Sequence, residues 1–339
     1  MKTALISTFC IALLVPVLVS AHPNHTASMP DHPVGSPDYH ETAETVGDTD
    51  SASDAVLRAA LIALITELLA QLGLSDAMLS NGGSNDVTTS TVSGDIKTVG
   101  SLQMSNDGNY RYFSSDGLPE YDISGNRYAN TASAQNHDFR VALNPVRNSQ
   151  PTYYGIPYNF GIALNGVTFE PYAAEWYQND RNSGWQEDPF VTLPDLDAYN
   201  AHVQPSGLYH YHGQPTHLID GDRNTHSSLV GFAADGFPIY GPYVHESDES
   251  IVKAVSGWEL RSGTRSGGPG GTFDGTYNED YEYVGGMAGD LDECNGRFAV
   301  TPEFLGGTYY YVATEDFPYI PRCLMGDMDP SFATGPGPR

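Results

Sequence analysis

The sequence predicts a mainly β fold: an antiparallel, sandwich- or barrel-like single domain with few short helices, preceded by one isolated apolar helix. Three observations lead there. From 96 to 332 the chain is built of short apolar or aromatic alternations, such as "YRYFSS", "FGIALNGVTFEP" and "GGTYYYVATE". Gly, Pro, Asn or Asp cuts these runs every few residues, as turns between strands require. No sustained helical period appears in this region, whereas residues 54–73 are rich in strong helix formers.

The elements follow in chain order. Residues 1–21 read as a secretory signal, with Lys2, an apolar core and Val19-Ser20-Ala21 before the cut. The core is too short for a bilayer span, and no later segment supplies one, so no integral membrane span is expected. Residues 22–53 are polar and poor in apolar side chains, a disordered lead. Segment 54–73, "DAVLRAALIALITELLAQLG", has Asp54 as N-cap and Gly73 as stop. Arg58 and Glu67 interrupt its apolar surface, so it is not a bilayer span; a helix this apolar docks on the main domain, pairs with another chain or belongs to a removable pro-segment. Residues 80–95 form a Gly/Ser/Thr/Asn linker, the main domain spans 96–332, and 333–339 is a flexible tail. Short helices are expected near Ala173–Trp176 and Glu249–Ala254.

Charge narrows the partners. The chain has 15 Lys+Arg against 42 Asp+Glu, a net charge of −27. Removing 1–21 takes away Lys2 and no acid, leaving 14 against 42, or −28. Such a field repels phosphate backbones, so no nucleic acid partner is expected, while cations, small molecules and glycans remain open. Cys10 leaves with the signal. Cys294 and Cys323 remain as an even pair in an exported chain, which predicts a disulfide and a secreted, extracellular or periplasmic location.

The chemistry concentrates in "AHVQPSGLYHYHGQPTHL", residues 201–218. Six of the eleven histidines lie within 202–245. On a strand over Leu208–His212, bracketed by Gly207 and Gly213, His210 and His212 share one face and Tyr209 and Tyr211 the other. Two imidazoles at i and i+2 can meet one ion, and neutral imidazole suits zinc or copper. The spacing leaves the third ligand open among His137, His202, His217, His226 and His245.

The stretch Asn200–Pro215, with "LVGFAADGFPIYGPY" at 229–243, resembles the YHYH-domain family of exported proteins, whose motif is Tyr209-His210-Tyr211-His212. "SAQNHDFRVALNP", "IALNGVTFEPYAAEWY", "LDECNGRFAVTPEF" and "YYYVATEDFPYIPRC" resemble further blocks in the same order, over roughly 110–325. The resemblance implies secretion and a metal at the motif. It selects His202, the histidine before Gln-Pro, to join His210 and His212. Asn200, Gln204 and Asp235 are then candidates to orient the ligands. The family usually carries a His after Pro-Asp; this chain has "DGLPEYDIS", with Tyr121 in that place and Glu120 or Asp122 beside it as substitutes.

Weaker signals accompany these. Asp220, Asp222 and Asn224 have the oxygen spacing of a calcium loop, but Thr225 and Gly231 stand where Gly and Glu are needed, so a turn competes with a calcium site. Asp290, Asp292, Glu293 and Asn295 form a second acidic knot. Glu175, beside Trp176, is the candidate catalytic carboxylate. Three functions follow: a transition-metal protein, enzymatic or not; a non-catalytic extracellular module for calcium or glycan; and a structural or adhesive protein that self-associates through 54–73.

Overall fold

The computed structural model describes residues 96–155, 158–246, 248 and 250–334. The expected signal, lead, apolar helix and linker lie outside the described residues, as does the tail from 335.

Strands β1 (Gln103–Asn106), β2 (Tyr110–Ser115) and β3 (His137–Ala142) make a three-stranded antiparallel sheet. The period-2 pattern read from "YRYFSS" is visible in β2, where Arg111, Phe113 and Ser115 point inward. Next come β4 (Gly161–Ala163), β5 (Thr168–Phe169), the single-turn helix α1 (Pro189–Thr192), β6 (Ala201–Val203) and β7 (Tyr209–Tyr211). They are followed by β8 (Leu229–Ala233) and β9 (Pro238–Tyr240). Two ribbons intervene: β10 (Tyr243–His245) with β11 (Ile251–Lys253), and β12 (Trp258–Leu260) with β13 (Tyr281–Tyr283). β14 (Gly296–Ala299) and β15 (Thr308–Val312) complete the order.

Eight of these strands form one curled, half-barrel sheet in the order β14-β15-β9-β8-β4-β5-β7-β6. Five of its seven pairings are antiparallel; β15–β9 and β5–β7 are parallel. The mainly β, few-helix expectation is therefore met. The central strands β8 and β15 are buried at every position, so both of their faces are covered. Phe113 of the smaller sheet packs on Phe232 of β8 with ring centroids 5.8 Å apart. The Arg111 guanidinium lies 3.9 Å above that same ring.

Of the two places where a short helix was expected, one becomes a strand and the other is followed directly by helical turns. Ile251–Lys253 is a strand, because its β-branched Ile-Val pair completes a hairpin with Tyr243–His245. Ala173–Trp176 is irregular, and helical turns follow it only at Tyr177–Asn179 and Arg181–Ser183. The helical turn α1 starts instead at Asp188, whose carboxylate accepts the Phe190 N–H ahead of a proline at the first position.

Cys294 and Cys323 form the expected disulfide, with Cα atoms 5.2 Å apart, and tie the entry to β14 to the segment after β15. Both cysteines are fully buried. Loop-closure entropy over a separation of 29 residues makes this crosslink worth about 4 kcal/mol.

Candidate metal centre

The centre is built on the last two strands of the large sheet. Gly207 adopts φ 84, the left-handed conformation that lets the chain turn from β6 into β7. Its N–H donates to the Gln204 carbonyl, closing the turn. At the other end, a β-carbon on Gly213 would lie 2.5 Å from the Phe190 ring, so a larger residue would displace that ring. Between these glycines β7 pairs with β6 in a register that sets His202 directly opposite His210.

The strand alternation places His210 and His212 on one face. Their Nε2 atoms are 3.0 Å apart. His202 joins them, with ring centroids 4.7 Å from His210 and 5.0 Å from His212. One ligand nitrogen from each lies within 4.8 Å of the others. Among the described residues, this is the group of three or more His, Cys, Asp or Glu whose donor atoms converge.

The protons are arranged for coordination. His210 Nδ1 faces the Leu208 carbonyl at 3.3 Å, a contact only an N–H satisfies, so Nε2 carries the lone pair. His202 Nδ1 lies 3.2 Å from Asp195 Oδ1, which fixes that ring in the same sense. With both nitrogens of the His210–His212 contact turned inward, one must donate a proton to the other unless a cation takes its place. The 3.0 Å spacing suits two donors that each reach about 2.0–2.1 Å to a shared ion.

Burial keeps these imidazoles neutral. It pushes His210 down to about 4 and His202 below the ordinary histidine value, the latter helped by its neighbour His210. His212 falls furthest, through burial and then the adjacent imidazoles of His210 and His202. Its Nδ1 makes no hydrogen bond of good geometry, though the Glu170 main chain exerts a weak opposing pull. Neutral imidazole is the form that binds metal.

A carboxylate that sequence reasoning missed stands beside the histidines. Glu170 Oε2 is 3.6 Å from His210 Nε2. Burial raises its carboxyl to about 7, against a small opposing pull from His202. Parallel pairing of β5 with β7 brings it there: Thr168 lies opposite His210, Phe169 lies opposite Tyr211, and the Glu170 N–H donates to the Tyr211 carbonyl. The triad and Glu170 open onto a cleft of about 690 Å³.

The tyrosines face the other way. Tyr209 and Tyr211 are fully buried, and the Tyr121 hydroxyl sits 2.9 Å and 3.0 Å from theirs. Tyr121 therefore belongs to a hydroxyl network on the face opposite the histidines, and its presence does not remove a ligand from the triad. Glu120 pairs with His217 at 3.1 Å, and the Asp122 carboxylate accepts the Ser124 N–H.

"DLDAYN" also carries positioning residues that were not foreseen. Asp195 and Asp197 alternate as the motif does. Asp195 holds His202, while Asp197 accepts the hydroxyls of Tyr209 at 2.7 Å and Tyr128 at 2.6 Å. The acid-x-acid spacing seven residues before the first histidine was the available signal.

The remaining candidates are dispersed. Asn200, at φ 63, accepts the His212 N–H on its carbonyl and donates from its side chain to the Gln214 carbonyl, so it places His212 through the backbone. Gln204 donates to Ser206 and lines the cleft. Asp235 sits in the β8–β9 turn, bonded to Tyr311, Gly326 and Phe237. Glu175 lines the cleft with Oε2 buried and unbonded. His137 is on the cleft wall, stacked on Phe139. His226 and His245 pack on each other elsewhere, 5.4 Å apart. Asp222 caps the Asn224 N–H and Asp220 accepts the Ser228 hydroxyl, which makes 220–224 an exposed turn. Asp292 accepts the N–H groups of Cys294 and Gly296, and so braces the disulfide loop.

No curated protein and no solved structure matches this sequence. A family described as YHYH protein matches residues 138–326, more than half of the chain, from the second residue of β3 to beyond β15. That span contains the three convergent histidines, Glu170 and the disulfide, and on this match the chain belongs to the YHYH protein family.

Proposed function

We propose that the cleft is a metal-dependent hydrolytic centre in an exported protein. His202, His210 and His212 hold a transition ion through three imidazole nitrogens, zinc for hydrolysis, with copper the other ion this donor set accepts. One observation carries the reading: three neutral, convergent imidazoles open onto a cleft beside a carboxylate, Glu170, that accepts no hydrogen bond from a described residue. Three protein ligands with one side open is the pattern of catalytic rather than structural zinc.

The ion supplies Lewis acidity when bound. The residues of the chain do the rest. Asp195 locks the His202 ring, and the Leu208 carbonyl locks His210. Glu170, 3.6 Å from His210 Nε2, takes a proton from the attacking water and passes it to the leaving group. Hydrolysis thus adds one water across the scissile bond, with no net proton left on the protein. Export is supported by the signal-like residues 1–21 and by the buried disulfide, which suits an oxidising compartment. Among the described residues no helix is long and apolar enough to cross a membrane.

The test is turnover of p-nitrophenyl acetate by the zinc-loaded full chain and by Glu170→Gln. The expected result is retained zinc and a rate lowered about 10²–10⁴-fold in the variant. Full activity in Glu170→Gln, or no zinc uptake by wild type, overturns the reading.

A further inference from the structure

The lining of the cleft identifies what it is shaped to receive. None of the described residues that line it is Lys or Arg, while Glu170 and Glu175 both do. Apart from the ion that the triad would hold, an anionic ligand would meet two carboxylates, no lysine or arginine, and a chain of net charge −27. The polar remainder is uncharged amide and hydroxyl: Gln135, Asn159, Gln204, Ser206, Ser331 and Thr334. Rings of Phe139, Tyr158 and Tyr172 complete the walls.

Five of the lining residues carry a buried polar atom without a partner among the described residues, and two of these atoms are the ring nitrogens His137 Nε2 and His212 Nδ1. The other three, the Tyr158 hydroxyl, the Asn159 amide oxygen and Glu175 Oε2, make no hydrogen bond with a described residue, although bulk water does not reach them. Tyr158 and Asn159 are 4 % and 2 % exposed. Buried polar atoms left unmatched cost free energy, which a ligand bringing matching groups recovers. Two of the three atoms are acceptors and the third is a hydroxyl, so the matching ligand offers several O–H donors. A volume of about 690 Å³ lies in the range of small-molecule sites.

We propose that the cleft binds a neutral, hydroxyl-rich ligand of one or two sugar rings, its C–H faces against the aromatic walls and its hydroxyls on the amide and carboxylate groups. This rests on the reading of the cleft as the substrate site of a metal centre. Glu170 and Glu175 offset the charge of the ion that the triad would hold, so neither an anionic sugar nor a polyamine gains a net charge partner there, and the hydroxyl and amide lining suits polyols.

Calorimetric titration of the zinc-loaded full chain tests it, with cellobiose, maltose and diacetylchitobiose as neutral probes. Digalacturonate serves as the anionic probe and spermidine as the cationic one. At least one neutral disaccharide should bind, more tightly than either charged probe. Tyr158→Phe and Glu175→Gln should each weaken it about 3- to 10-fold, with zinc content and melting temperature unchanged. The proposal is overturned if no neutral disaccharide binds, if a charged probe binds tightest, or if both variants bind as wild type does. Zinc content is measured on the same samples, so a chain that keeps its zinc but ignores the sugars sinks only this inference. A chain without zinc sinks the metal reading instead.

Discussion

Replacing Asp235 by Asn should change how stability depends on pH, in a direction opposite to that of most carboxylates. Asp235 is 3 % exposed and accepts hydrogen bonds from the Tyr311 hydroxyl and from the N–H groups of Gly326 and Phe237. Burial outweighs these bonds and raises its carboxyl from 3.8 to about 6. The folded state thus holds this proton more tightly than the unfolded state does. The stabilisation is complete below the unfolded value and is lost as pH rises through the folded one. A shift of about 2 units, at 1.36 kcal/mol each, amounts to about 3 kcal/mol, with a slope of about 1.4 kcal/mol per pH unit between roughly pH 4 and 6. Urea unfolding of wild type and Asp235→Asn, with the disulfide intact, reads this directly. The difference in unfolding free energy should fall by about 3 kcal/mol from about pH 4 to pH 6.5 and then stay level. A difference that does not vary with pH would refute the reasoning, whatever its constant offset.

Further expectations concern other sites. His226, 6 % exposed with its Nδ1 on the Ser227 carbonyl, is pushed down to about 4 by burial. Its contribution therefore has the opposite sign: present above about pH 6.5 and lost as pH falls through about 4, so His226→Gln should gain on wild type in acid. The Arg265 side chain grips the fully buried Asp280 at 2.7 Å and 2.6 Å. Arg265→Met leaves that carboxylate unpaired and should cost about 3 kcal/mol in urea unfolding, and a loss below about 1 kcal/mol would contradict the pairing. Converting Cys294 and Cys323 together to Ser should cost about 4 kcal/mol, and unchanged unfolding would show that the crosslink is not formed. Asp195→Ala should weaken zinc binding about 10- to 100-fold while leaving the melting temperature of the metal-free chain in place. Equal zinc affinity would remove Asp195 from the site.

What the sequence disclosed was local. The alternation Tyr209-His210-Tyr211-His212 needs only the two-residue period of a strand, so the histidine face was readable. So was the strand-rich texture, because glycine and proline punctuate it. His202 needed the family blocks, since the β6–β7 register that sets it opposite His210 depends on a turn whose length alone does not fix pairing. Glu170 was out of reach for the same reason on a larger scale. It arrives through a parallel pairing between segments some forty residues apart, with α1 and β6 between them, and Glu175 looked as good from its apolar neighbours. Tyr121 shows the converse. Read as a line of text it suggested a missing ligand, yet in three dimensions it lies behind β7 among tyrosine hydroxyls. The helix expected near Glu249–Ala254 failed because a β-branched pair beside a free hairpin partner outweighs a weak helical propensity.

The central claim is that His202, His210 and His212 form one transition-metal centre. Elemental analysis of the purified full chain, against a His210→Ala/His212→Ala double variant, tests it most directly. Wild type should carry close to one equivalent of zinc or copper and the variant none. Metal-free wild type that does not take up either ion, or a variant that keeps the full equivalent, would contradict it.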